Sequence, residues 1–241
     1  MKKTIVGFTL VGLLGVTGVV SAATQPAPPI KVIKNGETVP CGVASKGWAD
    51  PAFSGKGWTH KSSWGQFNAI KGQTVTLVFD GTGAKNNGSL HPGSTVWFRP
   101  SKCPGTPCPG NKGSGLNYIP DHFYVQTQDW VAINAKDDTT QALVGTIDMK
   151  YVLNAYDADG LAPGAVEQTL LPNADVIGIQ DGIPGKLKVS FIAEESGTYQ
   201  FAVGGIDPYP DTKLDNSMSM GGGMLANPLT VSLKVERAKK Y

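Results

Sequence analysis

Trp58-Thr59-His60 sets an indole and an imidazole two residues apart, inside the segment Gly57-Trp58-Thr59-His60-Lys61-Ser62-Ser63-Trp64-Gly65. In extended chain, residues i and i+2 point to the same face, so the two rings would stand side by side. Histidine is scarce here: only His60, His91 and His122 occur in 241 residues. A rare imidazole beside an indole raises the question of a soft metal. The simpler role for such a pair is packing.

The other histidines have different surroundings. His122 lies in Ile119-Pro120-Asp121-His122-Phe123-Tyr124-Val125, a strand-like run in which it shares a face with Tyr124. His91 opens the turn signal His91-Pro92-Gly93. Two imidazoles hold Cu(I) in a near-linear site, and a third weak donor makes it T-shaped. Such a site must be assembled by the fold, because His60 and His122 are far apart in the chain. A second soft donor set is Met218, Met220 and Met224 in a Gly-rich loop. Thioethers suit Cu(I), and the same residues also serve as adaptable apolar contacts. Asp157-Ala158-Asp159-Gly160 has carboxylates at alternate positions, as a calcium loop does. The terminal Glu of the twelve-residue calcium pattern is missing, so an Asp-rich turn is the reading and calcium the alternative.

Several enzyme classes are excluded by their motifs. There is no Gly-x-Ser-x-Gly elbow and no Cys closely followed by His. No phosphate loop or dinucleotide fingerprint occurs. A blue-copper centre needs a Cys with His and Met close downstream, and neither Cys103 nor Cys108 has such a His.

Period-two alternation supplies the elements that would position these residues. Val75, Leu77 and Phe79 alternate with Thr74, Thr76 and Val78. Leu187, Val189 and Phe191 do the same, as do Tyr199, Phe201 and Val203, and then Leu229, Leu233 and their neighbours. These runs predict half-buried strands. Weaker strands are expected at Ser94 to Phe98, His122 to Gln126, Val131 to Ile133 and Thr146 to Leu153. No helical stripe with caps appears. The fold class is therefore all-β, an antiparallel β-sandwich of Greek-key-like connection. Gly and Pro, 31 and 17 of them, punctuate it, and long loops are expected at 81–92, 100–120, 157–175 and 207–227.

Met1-Lys2-Lys3, an apolar run from Thr4 to Val20 and Ser21-Ala22-Ala23 have the three parts of a secretory signal. Residues 1–22 are read as that signal, 23–40 as an extended Pro-rich leader and 41–241 as one β-sandwich domain. No later stretch is long and apolar enough to span a membrane. Two of the 21 Lys and Arg lie in the signal, so 19 remain against 19 Asp and Glu. A neutral mature chain has no electrostatic footprint for nucleic acid. Export makes a disulfide expected among Cys41, Cys103 and Cys108. Cys103 and Cys108 close a turn-rich loop on each other, or Cys41 bridges to one of them, and one thiol is left over.

The motifs Gly57-Trp58-Thr59-His60-Lys61-Ser62-x-Trp64, His91-Pro92-Gly93-Ser94-Thr95-Val96-Trp97-Phe98-Arg99-Pro100, Asp121-His122 and Gly197-Thr198-Tyr199-Gln200-Phe201 resemble those of the MopE/CorA copper-binding proteins, exported or surface-associated proteins of methane-oxidising bacteria. The resemblance runs from about Cys41 to Val235. It implies one Cu(I) held by two histidines and by a tryptophan oxidised to kynurenine, two residues from one of those histidines. Carried over, Trp58 is the modified residue, His60 the first ligand and His122 or His91 the second. His122 is preferred, since a strand fixes a ligand better than a turn beside proline.

On this reading the chain is an exported copper protein for acquisition or storage, not an enzyme. It would sit in the periplasm, on the outer-membrane surface or in the medium, with an envelope or redox protein as a conceivable partner. The alternative is a structural or adhesive surface module whose histidines bind nothing.

Overall fold

The computed structural model describes residues 30–49, 62–83, 90–100, 129–136, 143–160, 176–207 and 227–237. The alternating runs form the expected strands. In β5 (Thr74–Asp80), Val75, Leu77 and Phe79 are fully buried while Thr74, Thr76 and Val78 are half-buried. β10 (Lys186–Ile192) and β12 (Asn227–Glu236) repeat the pattern. With β2 (Thr38–Val43) they make an antiparallel sheet in the order β10-β5-β12-β2. Leu77 stands opposite Val189 on one side and Leu233 on the other, so the apolar rows align across the sheet.

A second sheet runs β1 (Lys31–Val32), β4 (Ser63–Ala69), β11 (Gly197–Asp207), β6 (Pro92–Arg99), β8 (Leu143–Tyr156) and β7 (Trp130–Lys136). Two short strands, β3 (Trp48–Ala49) and β9 (Val176–Ile177), add parallel pairs to β11 and β8. The chain changes sheet from β4 to β5 to β6, and again from β10 to β11 to β12. At these changes consecutive strands are not sheet neighbours, whereas β7, β8 and β9 pair in sequence. The two sheets close on one core in which Leu77, Phe79, Leu187, Val231 and Cys41 face Phe67, Val96, Tyr199, Phe201 and Val203. Phe79 meets Phe201 edge-on at 5.2 Å between ring centres, which joins the layers. The fold is the all-β sandwich that the alternation predicts.

Three differences from the sequence reading have physical reasons. Of the leader assigned to 23–40, the part from Lys31 onward is already in the fold: β1 pairs with β4 and β2 begins at Thr38. Proline at position 40 did not prevent this, because β2 is an edge strand. β4 and β6 lack the alternation: β4 buries Trp64 and Gly65 in succession, and every residue of β6 is buried. Cys41 is a free, buried thiol, so neither bridge drawn from it is present. Its burial pushes the thiol pKa up, and the pair Cys103 and Cys108 lies outside the described residues. The weak strand expected at His122 to Gln126 lies outside them too. No helix among the described residues is long and apolar enough to cross a membrane.

Close backbone approach pins β3 to the larger sheet. A Cβ on Gly204 would strike the backbone of Gly47 and come within 2.6 Å of Trp48 N. A Cβ on Gly93 would enter the Trp48 indole. Gly204→Ala should therefore destabilise the protein by about 3 kcal/mol in denaturant unfolding, since backbone cannot move aside as a side chain can. An equal change at Gly83, where a Cβ meets nothing within 4 Å, should stay within about 0.5 kcal/mol.

Candidate metal centre

Four strand ends of the larger sheet meet at one rim of the sandwich. β11 runs towards this rim and ends at Asp207, β3 runs beside it in parallel and ends at Ala49, and β4 and β6 begin there. The described chain stops after Ala49 and resumes at Ser62, so the Trp58-x-His60 segment is tied to this rim at both of its ends. Ser62 is fully buried, and Ser63 Oγ donates to the carbonyl of Gly42. Ile206, opposite Trp48 in the parallel pair, donates its N–H to the His91 carbonyl at 3.0 Å. Trp48 lies under the rim, with Nε1 donating to Thr95 Oγ1 at 2.9 Å.

His91 is the one expected ligand among the described residues. Its side chain is 11% exposed, and Nδ1 lies 2.9 Å from Oδ2 of Asp157, which is 1% exposed. The carboxylate accepts from Nδ1 in the tautomer that carries the proton there, and Nε2 is the ring nitrogen outside this pair. Asp157 is itself saturated. Its Oδ2 also accepts from Gly185 N at 2.7 Å and its Oδ1 from Asp159 N at 3.0 Å. Asp159 Oδ2 in turn accepts from the N–H groups of Asp181 and Gly182 at 2.8 and 2.9 Å. The carboxylates of Asp157-Ala158-Asp159-Gly160 are therefore turn-builders that staple the end of β8 to the turn before β10. That is the work the Asp-rich turn reading gives them, and their acceptor positions face backbone N–H rather than a common centre for calcium.

Trp58, His60 and His122 lie outside the described residues, as do Met218, Met220 and Met224. Among the described residues no group of three or more His, Cys, Asp or Glu side chains is placed to hold a metal. His91 has one ring nitrogen outside the Asp157 pair, and among the described residues it belongs to no group of three or more such side chains. This fits copper only if the remaining ligands come from outside the described residues.

Sequence reasoning missed Asp157 as the partner of His91. No local signal could have found it, since the two residues are 66 positions apart and meet only through the register of β6 against β8. It also missed the stacked indoles Trp64 and Trp97, whose centres are 5.3 Å apart at 9°. Their strands, β4 and β6, both pair with β11, and nothing in the sequence says so.

An all-β sandwich with four strand ends and a fixed histidine at one rim is the class of protein seen here. Residues 21–213 match the family of CorA-like copper(I)-binding proteins. The chain belongs to that family. It is similar to CorA of Methylomicrobium album BG8, a surface-associated copper-binding protein important in that organism's copper acquisition, with 30% identity and a TM-score of 0.60 over 87% of this chain and 100% of that one. It shares its fold with MopE, a secreted protein of Methylococcus capsulatus in which an oxidized tryptophan facilitates copper binding. That likeness is 17% in identity with a TM-score of 0.50, over 87% of this chain and 91% of that one. No curated protein sequence matches the chain.

The His91–Asp157 pair should behave as a structural tie. Asp157→Ala leaves the buried Gly185 N–H and the His91 ring unpaired, and should cost about 3 kcal/mol in urea unfolding. His91→Ala removes one partner of the carboxylate and should cost less, about 1–2 kcal/mol.

Proposed function

We propose that this chain is an exported protein that binds one Cu(I) for copper acquisition. Family membership across residues 21–213 carries the reading, because it spans Trp58, His60, His91 and His122. The basic, apolar and small-residue parts of residues 1–22 support export, as do relatives described as surface-associated or secreted.

His60 and His122 are the proposed ligands. Trp58, as kynurenine, flanks them, with its aniline nitrogen and carbonyl offering donors that an indole lacks. A closed-shell Cu(I) accepts few soft or borderline ligands and tolerates near-linear coordination, so two imidazoles suffice to hold it. His122 is preferred over His91 because a strand fixes a ligand better than a turn beside proline; the Asp157 bond at Nδ1 leaves the other His91 ring nitrogen able to ligate, so His91 stays the alternative partner of His60. The rim still matters to the site: it fixes both ends of the segment carrying Trp58 and His60. A ligand held by a short segment clamped at both ends loses less entropy on binding than one on a free loop.

The experiment is copper analysis and competitive Cu(I) titration of single variants. His60→Ala and His122→Ala should each weaken Cu(I) binding by at least about a hundredfold while leaving the unfolding midpoint of the copper-free protein unchanged, since neither belongs to the described core. His91→Ala should keep near wild-type affinity and lower stability instead. Loss of copper in His91→Ala with the fold intact would make His91 the partner of His60. Wild-type protein from its native envelope with no copper would favour the surface-module reading.

The tryptophan is tested separately. In protein from copper-replete native cells, the peptide holding Trp58 should be heavier by about 4 Da, the difference between indole and kynurenine side chains, as expected for metal-dependent oxidation. Trp64 and Trp97 should keep their mass, and so should Trp58 in protein made without copper. An unmodified Trp58 in copper-loaded native protein would remove kynurenine from the site and leave the histidines in it.

A further inference from the structure

The turn between β1 and β2 carries an Asn-Gly pair that the copper reading does not use. Lys34-Asn35-Gly36-Glu37 is a tight turn, closed by the Glu37 N–H donating to the Lys34 carbonyl at 3.0 Å, with Gly36 at φ +83°. Both central residues are exposed, and a Cβ at Gly36 would meet nothing within 4 Å, so the turn stands open to water.

This turn continues the ladder of β12. Regular pairing of β12 with β2 runs from Asn227 opposite Val43 to Ser232 opposite Thr38. Beyond Ser232 the turn takes over. The Gly36 N–H donates to the Leu233 carbonyl at 2.9 Å, and the Leu233 N–H donates to the Glu37 carbonyl at 3.1 Å. The Asn35 side chain then stands in for a peptide group. Its Nδ2 donates to the Val235 carbonyl at 3.0 Å, and its Oδ1 accepts the Val235 N–H at 2.7 Å. Val235 packs against the core, so this clip seats an apolar side chain as well as a strand end.

We propose that Asn35 is a site of hydrolytic self-modification gated by the end of β12, and that the reaction disables the clip. The Gly36 nitrogen loses its proton to solvent base and bonds to Asn35 Cγ. Glycine favours this step, because no side chain at position 36 hinders the approach. The Cγ–Nδ2 bond breaks with its electron pair, and the leaving nitrogen takes a proton and departs as ammonia. Water then opens the resulting five-membered imide at either carbonyl, which leaves aspartate or isoaspartate at position 35. Both reacting groups are engaged in the closed clip, Gly36 N–H on Leu233 and Nδ2 on Val235. The reaction therefore starts from a locally opened state, and its rate follows the population of that state. The product cannot close as before. Aspartate turns an acceptor towards the Val235 carbonyl where Nδ2 donated, and isoaspartate adds a backbone carbon to the turn.

The test is incubation of the full mature chain in mildly alkaline, ammonia-free buffer. Mass spectrometry of the Asn35 peptide reads the change of amide to acid as a gain of about 1 Da. The references are a synthetic peptide of residues 31–39 and the same chain unfolded in guanidinium. Asn35 in the folded chain should react at least about tenfold more slowly than in the peptide, and the unfolded chain should match the peptide. Val235→Pro removes the N–H that Oδ1 accepts and leaves Asn35 and Gly36 in place. It should raise the folded rate by at least about threefold in protein whose near-UV circular dichroism is native. A folded rate equal to that of the peptide would overturn the gate, as would an unchanged rate in folded Val235→Pro. No modified Asn35 in the folded chain after about a hundred peptide half-lives would overturn the site itself. The loss of the clip is read on the modified fraction, isolated by its added negative charge. Amide hydrogen exchange at Leu233 and Val235 should rise at least about tenfold there, while Val231, paired with Val39, keeps its rate. Unchanged exchange at Leu233 and Val235 would show that the clip survives and overturn that half of the proposal.

Discussion

A sheet with water along one face can leave that face to solvent. The larger sheet here has no such face. Its core side buries Phe67, Val96, Tyr199 and Phe201, and its other side buries Trp64, Thr95, Trp97, Arg99 and Gln200 to 1% exposure or less. Every polar group on that second side has to be answered within the protein, and much of the remaining architecture follows. Arg99 donates through Nε to the Asp148 carbonyl at 3.0 Å and through Nη1 to Gln200 Oε1. Gln200 then donates to Gln66 Oε1 at 3.1 Å. The chain of contacts crosses β8, β6, β11 and β4, so it reads the strand order as well as satisfying the groups. Burial lowers the Arg99 pKa to about 10, against the opposing pull of Asp148. The guanidinium is still charged at neutral pH, and removing one of its partners would leave a buried cation exposed to the full cost of desolvation.

This double burial decides what could be read from the sequence. β5, β10 and β12 face water on one side, and their alternation identified them residue by residue. β6 does not, and in β4 the run Ser63-Trp64-Gly65-Gln66-Phe67-Asn68-Ala69 buries Trp64 and Gly65 in succession, which breaks the alternation a strand template needs. β1 and β3, two residues each, carry no periodicity at all and exist only through their partners β4 and β11. The pairing of His91 with Asp157 was hidden for the same reason. It joins residues 66 positions apart, and only the register of β6 against β8 brings them together. The residue types of the candidate site were legible: an indole two positions from a rare imidazole is a local pattern. Which imidazole completes it depends on tertiary closure, which spacing does not encode.

The scaffold also makes its two rims differ in how they are held. A close-packed sheet transmits strain over short distances through its side chains, but strand direction separates its rims by the length of a strand. The rim at Ala49, Ser62 and His91 is held by backbone contacts that admit no Cβ, at Gly204 and Gly93. The rim at Phe98 and Tyr199 is held by aromatic contacts and leaves its carboxylates in water. The first suits a metal, whose ligands must sit within tenths of an ångström of their places. The β-sandwich supplies that rim with the stiffness its chemistry needs, and the Arg99 network between the two rims keeps the strand order on which both depend.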